Sequence, residues 1–186
     1  SIHHHLIKKN LRTFISLNIQ AAECLDTHYF AVLLGVGATS INAYMAQQAI
    51  ADRHQKGLFK DLTYEQCVER YINTVKNGIL KIMSKMGISV VSSYRGGCNF
   101  EAVGLSRSLM ADYFPTMTSR ISGIGLPGLE KRVLEAHKKA FNEDIITLPI
   151  GGFYRYRKGG DRHSFEATSI HMLQSAVGSD SYLTYK

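Results

Sequence analysis

The sequence predicts an α/β fold built on parallel strands, and two observations carry that expectation. The segment 14–44 reads as strand, loop, helix and short strand in succession, the order of an α/β unit. A long amphipathic helix starting after Thr63 then runs straight into the β-branched segment Ile88–Tyr94. A helix feeding a strand with no hairpin between them belongs to a parallel sheet or barrel.

Taken in order, Phe14 to Ile19 alternates apolar and polar side chains and predicts a strand. Ala21 to Cys24 is its C-terminal loop. Thr27 to Leu34 predicts a helix that Gly35 and Gly37 can stop. Ser40 to Tyr44 reads as a short strand end, and the Ala- and Gln-rich stretch Met45 to His54 as a helix closed at Gly57. The polar segment Lys56–Asp61 is the expected boundary, dividing the chain into 1–60 and 61–186.

The strongest local signal lies just beyond. Thr63 and Gln66 have capping-box spacing, which satisfies two free backbone donors at a helix start. Val68, Ile72, Val75, Ile79, Ile82, Met83 and Met86 recur at three- and four-residue steps, one apolar face of a long helix. Gly87 is placed to end it, with Lys81 and Lys85 in the last turns where the helix dipole favours cations. Ile88–Tyr94 then predicts a strand, with Arg95-Gly96-Gly97 as the loop at its C-terminal end. Downstream, Ser106–Phe114 predicts a short helix and Ser119–Gly125 a loop or short strand. Pro127 opens another helix, Tyr154–Arg157 forms a hairpin turning at Gly159-Gly160, and Thr168–Val177 is a final helix.

Composition bounds the function. The 186 residues are 45% hydrophobic and 20% charged, as in a globular protein with a real core. No run of about 18 apolar residues is present, and the start shows no signal-peptide pattern, so the expectation is a cytoplasmic protein without a membrane span. The 3 cysteines, Cys24, Cys67 and Cys98, lack the spacing of an iron–sulfur or zinc site and read as reduced, buried thiols. A net charge of +7 is spread along the chain rather than set in a stripe, which disfavours nucleic acid and leaves anionic ligands or acidic partners. His3, His4 and His5 cannot all face one metal from a regular helix, so no metal site is expected.

Two groups of words carry a resemblance. Ser84-Lys85-Met86-Gly87-Ile88-Ser89, continuing through Ser93-Tyr94-Arg95-Gly96 to Phe100–Leu105, resembles the opening of the FMN domain of glutamate synthase. His3-His4-His5-Leu6-Ile7, Leu11-Arg12-Thr13, His28–Ala31 and Gly35–Ala38 resemble the end of that family's central domain. Ser119-Arg120-Ile121, Gly123-Ile124-Gly125 and Tyr156–Gly160 continue the series in order, so the resemblance covers nearly the whole chain and makes the histidine run native sequence.

The resemblance implies an incomplete (β/α)8 TIM-type barrel preceded by the last α/β units of a central domain. It implies a large-subunit segment of an oxidoreductase that forms L-glutamate from 2-oxoglutarate and glutamine-derived ammonia by reducing 2-iminoglutarate at FMN. Electrons would arrive through a 3Fe-4S cluster, from a small NAD(P)H-oxidising subunit or ferredoxin. The family's C-x5-C-x4-C cluster ligands are absent from this chain, as is the glutaminase nucleophile. The segment alone is therefore expected to be inactive and to bind no FMN stably.

A dicarboxylate substrate needs fixed cations and hydroxyl donors. By resemblance, Lys85 lies near the substrate and flavin and is the catalytic candidate; it also could stabilise an anionic reduced flavin. Ser89, Ser92 and Arg95 are the substrate-binding candidates, although many family members carry Gln where Ser92 stands. Glu23 matches a family glutamate close to the flavin. Gly96-Gly97 lacks the residues of a P-loop or a dinucleotide fingerprint. Two competing readings are a non-catalytic scaffold derived from the barrel and an anion-binding domain.

Overall fold

The computed structural model describes residues 1–144 and 147–186. It divides into two units, Ser1–Lys131 and Arg132–Lys186.

The first unit opens with helix α1 (Ile2–Lys8) and holds two parallel strand pairs, each made by a strand–helix–strand crossover. In the first crossover, β1 (Asn18–Gln20) leads through α2 (Thr27–Gly35) to β2 (Ser40–Asn42), with Ile19 opposite Ile41. Asp26 caps α2 by accepting from the His28 and Tyr29 amides. In the second, β3 (Glu101–Leu105) leads through α6 (Arg107–Tyr113) to β4 (Thr118–Ile124), with Val103 opposite Ile121. Register shifts interrupt this second ladder, and Gly104, at φ +79°, approaches Gly123 so closely that a Cβ at Gly123 would strike its backbone.

Between the crossovers stand α3 (Tyr44–Gln55) and α4 (Tyr64–Lys85). The capping box is formed: the Gln66 amide donates to Thr63 Oγ1 at 3.3 Å, and the Thr63 amide to Gln66 Oε1 at 3.0 Å. At the other end Gly87, at φ +69°, closes the helix as a Schellman motif. The Gly87 amide donates to the Ser84 carbonyl at 3.2 Å and the Ile88 amide to the Met83 carbonyl at 2.9 Å. The apolar stripe of α4 lies on α2: Met83 joins Ala31 and Tyr94 in one buried cluster with Ile79, Ile82, Ile88 and Phe100 around it. A second cluster joins Cys24, Ala43 and Ala46, and a third packs Ala102 against Leu109 and Met110 of α6. The three cysteines are free and buried, as expected.

Three local expectations are corrected. Ile88–Tyr94 is not a strand: Val91–Tyr94 forms a short helix, α5, and Ser89 sits in the turn before it. Strand preference needs a partner strand to express it. Here the Schellman turn and the burial of Tyr94, whose hydroxyl donates to the Ala31 carbonyl at 3.1 Å, pull the segment onto α2 instead. The strand expected at Phe14–Ile19 starts only at Asn18. The Ile15 carbonyl is taken by Arg12 Nη1 at 2.6 Å, and Phe14 is 83% exposed. Tyr154–Arg157 pairs no strands among the described residues. Its chain reverses in a turn where the Gly160 amide donates to the Arg157 carbonyl.

Helix α7 (Leu126–Ala140) follows β4, with Pro127 as its second residue. The second unit carries α8 (Ala167–Gly178), close to the expected helix, and α9 (Tyr182–Tyr185). No helix among the described residues is long and apolar enough to cross a membrane.

Candidate functional site

The loop Arg95–Cys98 is fixed by its own backbone. The Gly96 amide donates to the Leu34 carbonyl at 3.0 Å and the Cys98 amide to the Gly35 carbonyl at 2.9 Å, at the C-terminal end of α2. These carbonyls belong to the last helical turn, where intrahelical partners run out, and the Leu34 carbonyl also accepts from the Gly37 amide at 3.0 Å. Gly35 lets Phe100 lie against the helix end, since a Cβ there would overlap the ring.

Beside this loop opens a cleft of about 390 Å³ lined by His3, Arg12, Ser16, Thr39, Ser92 and Arg95, with Thr13 and Ile15 completing it. Arg12 is its most heavily bonded group. Its Nε donates to His3 Nδ1 at 2.9 Å, Nη1 to the Ile15 carbonyl, and Nη2 to the Gly37 carbonyl at 2.8 Å and Thr39 Oγ1 at 3.3 Å. Thr39 Oγ1 also accepts from the Leu17 amide, which joins the cleft to the start of β1. Because Nδ1 is an acceptor, His3 is neutral with its proton on Nε2. Burial lowers the His3 pKa below the ordinary 6.5, and Arg12, His4 and Arg95 lower it further. The Arg95 guanidinium is exposed and has no hydrogen bond or ion pair among the described residues.

The lining thus holds two guanidiniums, an imidazole and several hydroxyls, and no carboxylate. Uncompensated charge of this kind is suited to a small anion, and a planar guanidinium to a carboxylate. Of the residues named from sequence, Ser92 and Arg95 come together here. Lys85, at the exposed end of α4, Ser89, in the following turn, and Glu23, exposed in the loop after β1, are not in this lining. Sequence reasoning missed His3, Arg12, Ser16 and Thr39. From sequence the histidine run reads as a metal candidate or as part of a family word, not as part of a cleft, and among the described residues no group of three or more His, Cys, Asp or Glu is placed to hold a metal. Arg12 was legible only as part of a familiar word.

The fold and cleft define a mixed α/β segment with parallel crossovers and an anion-suited pocket at a helix end. Residues 1–106 match the glutamate synthase central domain, and the chain belongs to that family. It is 62% identical over 186 residues to the glutamate synthase [NADPH] large chain of Azospirillum brasilense, covering 100% of this chain and 12% of that protein. It is 38% identical over 187 residues to the corresponding large chain of Bacillus subtilis, with 100% and 12% covered. A chloroplastic ferredoxin-dependent glutamate synthase of Spinacia oleracea is 34% identical over 195 residues, again with 100% and 12% covered. The chain therefore spans about an eighth of the length of these relatives.

Proposed function

We propose that this chain is a segment of a glutamate synthase large subunit and contributes a substrate-side wall to the site that forms L-glutamate. The reaction joins 2-oxoglutarate to glutamine-derived ammonia and reduces the resulting 2-iminoglutarate. In this reading a carboxylate of 2-oxoglutarate enters the cleft beside Arg95, with Ser92 as a hydroxyl donor. Ser89 and Lys85 bear on the same substrate from the turn and the end of α4, with Lys85 in the catalytic role. The single observation that carries this reading is the cleft itself: two arginines, an imidazole and hydroxyls without an acid, in a chain 62% identical to a glutamate synthase.

FMN, the flavin of the complete subunit, supplies hydride when bound. Glu23 and Lys85 fit such a group in type, one carboxylate and one ammonium, both exposed and available. They stand on separate elements and do not by themselves form a cradle, so the remaining domains would complete it. The 3Fe-4S cluster has no ligand set among the described residues, where Cys24, Cys67 and Cys98 are not grouped to hold a metal. The parallel β3–α6–β4 crossover supports the reading of residues 61–186 as the first staves of a (β/α)8 barrel. Val103 and Ile121, opposite each other, are 69% and 62% exposed, as an inner barrel face lacking its other strands would be. A cytoplasmic subunit fed by an NAD(P)H-oxidising partner or by ferredoxin completes the proposal.

The test is steady-state kinetics on the full-length subunit. Arg95→Ala should raise the KM for 2-oxoglutarate at least tenfold, equivalent to about 1.4 kcal/mol of lost carboxylate binding. Arg95→Lys should recover part of it. An unchanged KM in both variants would remove Arg95 from the site.

A further inference from the structure

The Arg95 side chain is free, but the turn that carries it is clamped from one side by a residue distant in sequence. The His3 ring sits between two glycines, Gly37 and Gly96, both with positive φ, at +111° and +75°. A Cβ at Gly96 would lie 2.8 Å from His3 Nε2, and one at Gly37 would overlap the ring itself. Both positions are therefore kept bare by sterics as well as by backbone conformation. On its far edge the ring accepts from Arg12, which in turn holds the Gly37 carbonyl and Thr39.

We propose that His3 and Arg12 are positioning residues: the imidazole, wedged against Gly96 and oriented by the Arg12 guanidinium, locks the 95–98 turn onto the end of α2 and so aims Arg95 at the cleft. The functional consequence rests on the substrate reading above; the mechanical one does not. Without the wedge, the turn is retained by the two amide bonds from Gly96 and Cys98 and by the burial of Tyr94 and Cys98, which fix its two ends but not Arg95 and Gly96 between them. The half-buried imidazole wedge removes alternatives that those contacts alone allow, and Arg95, whose guanidinium has no hydrogen bond of its own among the described residues, inherits whatever freedom the turn has.

The experiment is amide hydrogen exchange on the whole chain, read at Gly96 and Cys98, with amides of the α4 interior such as Val75 and Met83 as the internal reference. His3→Ala should lower protection at Gly96 and Cys98 at least tenfold while the α4 amides change by less than twofold. Arg12→Ala should do the same, and the double variant should lose no more than the larger single effect. His3→Asn, whose side-chain oxygen can replace Nδ1 as acceptor for Arg12, should restore part of the protection, which a merely space-filling role would not give. Unchanged protection in His3→Ala would overturn the proposal. So would an equal loss throughout α4, which would make His3 a general stabiliser. Because no substrate enters the measurement, its failure is separable from a failure of the 2-oxoglutarate reading.

Discussion

His3 is the residue on which the site's electrostatics turn, because it serves as an acceptor while flanked by cations. Its folded pKa lies below the ordinary 6.5, with burial the largest cause and Arg12, His4 and Arg95 acting the same way. Well above pH 6.5 the ring is neutral in both folded and unfolded chains, and its contribution is fully present. As the pH falls below 6.5, the unfolded chain takes up a proton that the folded ring resists, so stability is lost until the folded value is passed. Denaturant unfolding of the chain and its His3→Asn variant, from about pH 8 to about pH 5, should show the wild-type advantage shrinking as pH falls. A difference independent of pH would place the proton elsewhere. Residue chemistry was only partly legible in the sequence. Arg95 and Ser92 could be named because they lie on and just after the segment expected to be a strand and within a family word, although that segment is helical, whereas His3 and Arg12 reach the same cleft from near the start of the chain. No short-range pattern announces that meeting.

At the scale of elements, the crossing of α2 over α4 is set by a glycine. Gly78 lies in the middle of α4, where alanine would ordinarily stabilise a helix by about 1 kcal/mol. Here a Cβ would stand 2.7 Å from Thr27 Oγ1, at the first residue of α2. The close approach decides the sign. Gly78→Ala should lower stability by about 1–2 kcal/mol through overpacking, and adding Thr27→Ala should recover most of the loss. A Gly78→Ala chain that melts higher than wild type would show that the helices do not meet there. The elements that were legible are those specified locally. Helix α4 has a capping box, a periodic stripe and a terminal glycine; α2 and α3 are bounded by an Asp cap and by Gly57. Those that were not legible depend on partners. Val91–Tyr94 has strand composition but no strand beside it, and β4 advances three residues for every two of β3 between Thr118 and Ile124, which breaks the alternation a strand is recognised by.

At the scale of the molecule, the chain spans about an eighth of its relatives' length, and its strand pairs leave large apolar side chains exposed. Both strand pairs are two-stranded, and β3 and β4 expose Val103 and Ile121 on the face away from α6. Apolar strand faces of this kind are covered in complete parallel folds. The parallel α/β class was legible because helices and strands alternate without hairpins, whereas the two separate strand pairs do not by themselves make a barrel. The net charge of +7 also gains a local meaning, since two of its arginines share an acid-free cleft. The most direct test of the central claim is an NMR titration of the isotopically labelled chain with 2-oxoglutarate, using acetate as the monocarboxylate comparison. Saturable shifts centred on His3, Arg12, Arg95 and Gly96 are expected, abolished by Arg95→Ala and weaker with acetate. Shifts that avoid these residues, or that acetate reproduces at the same concentration, would contradict the claim.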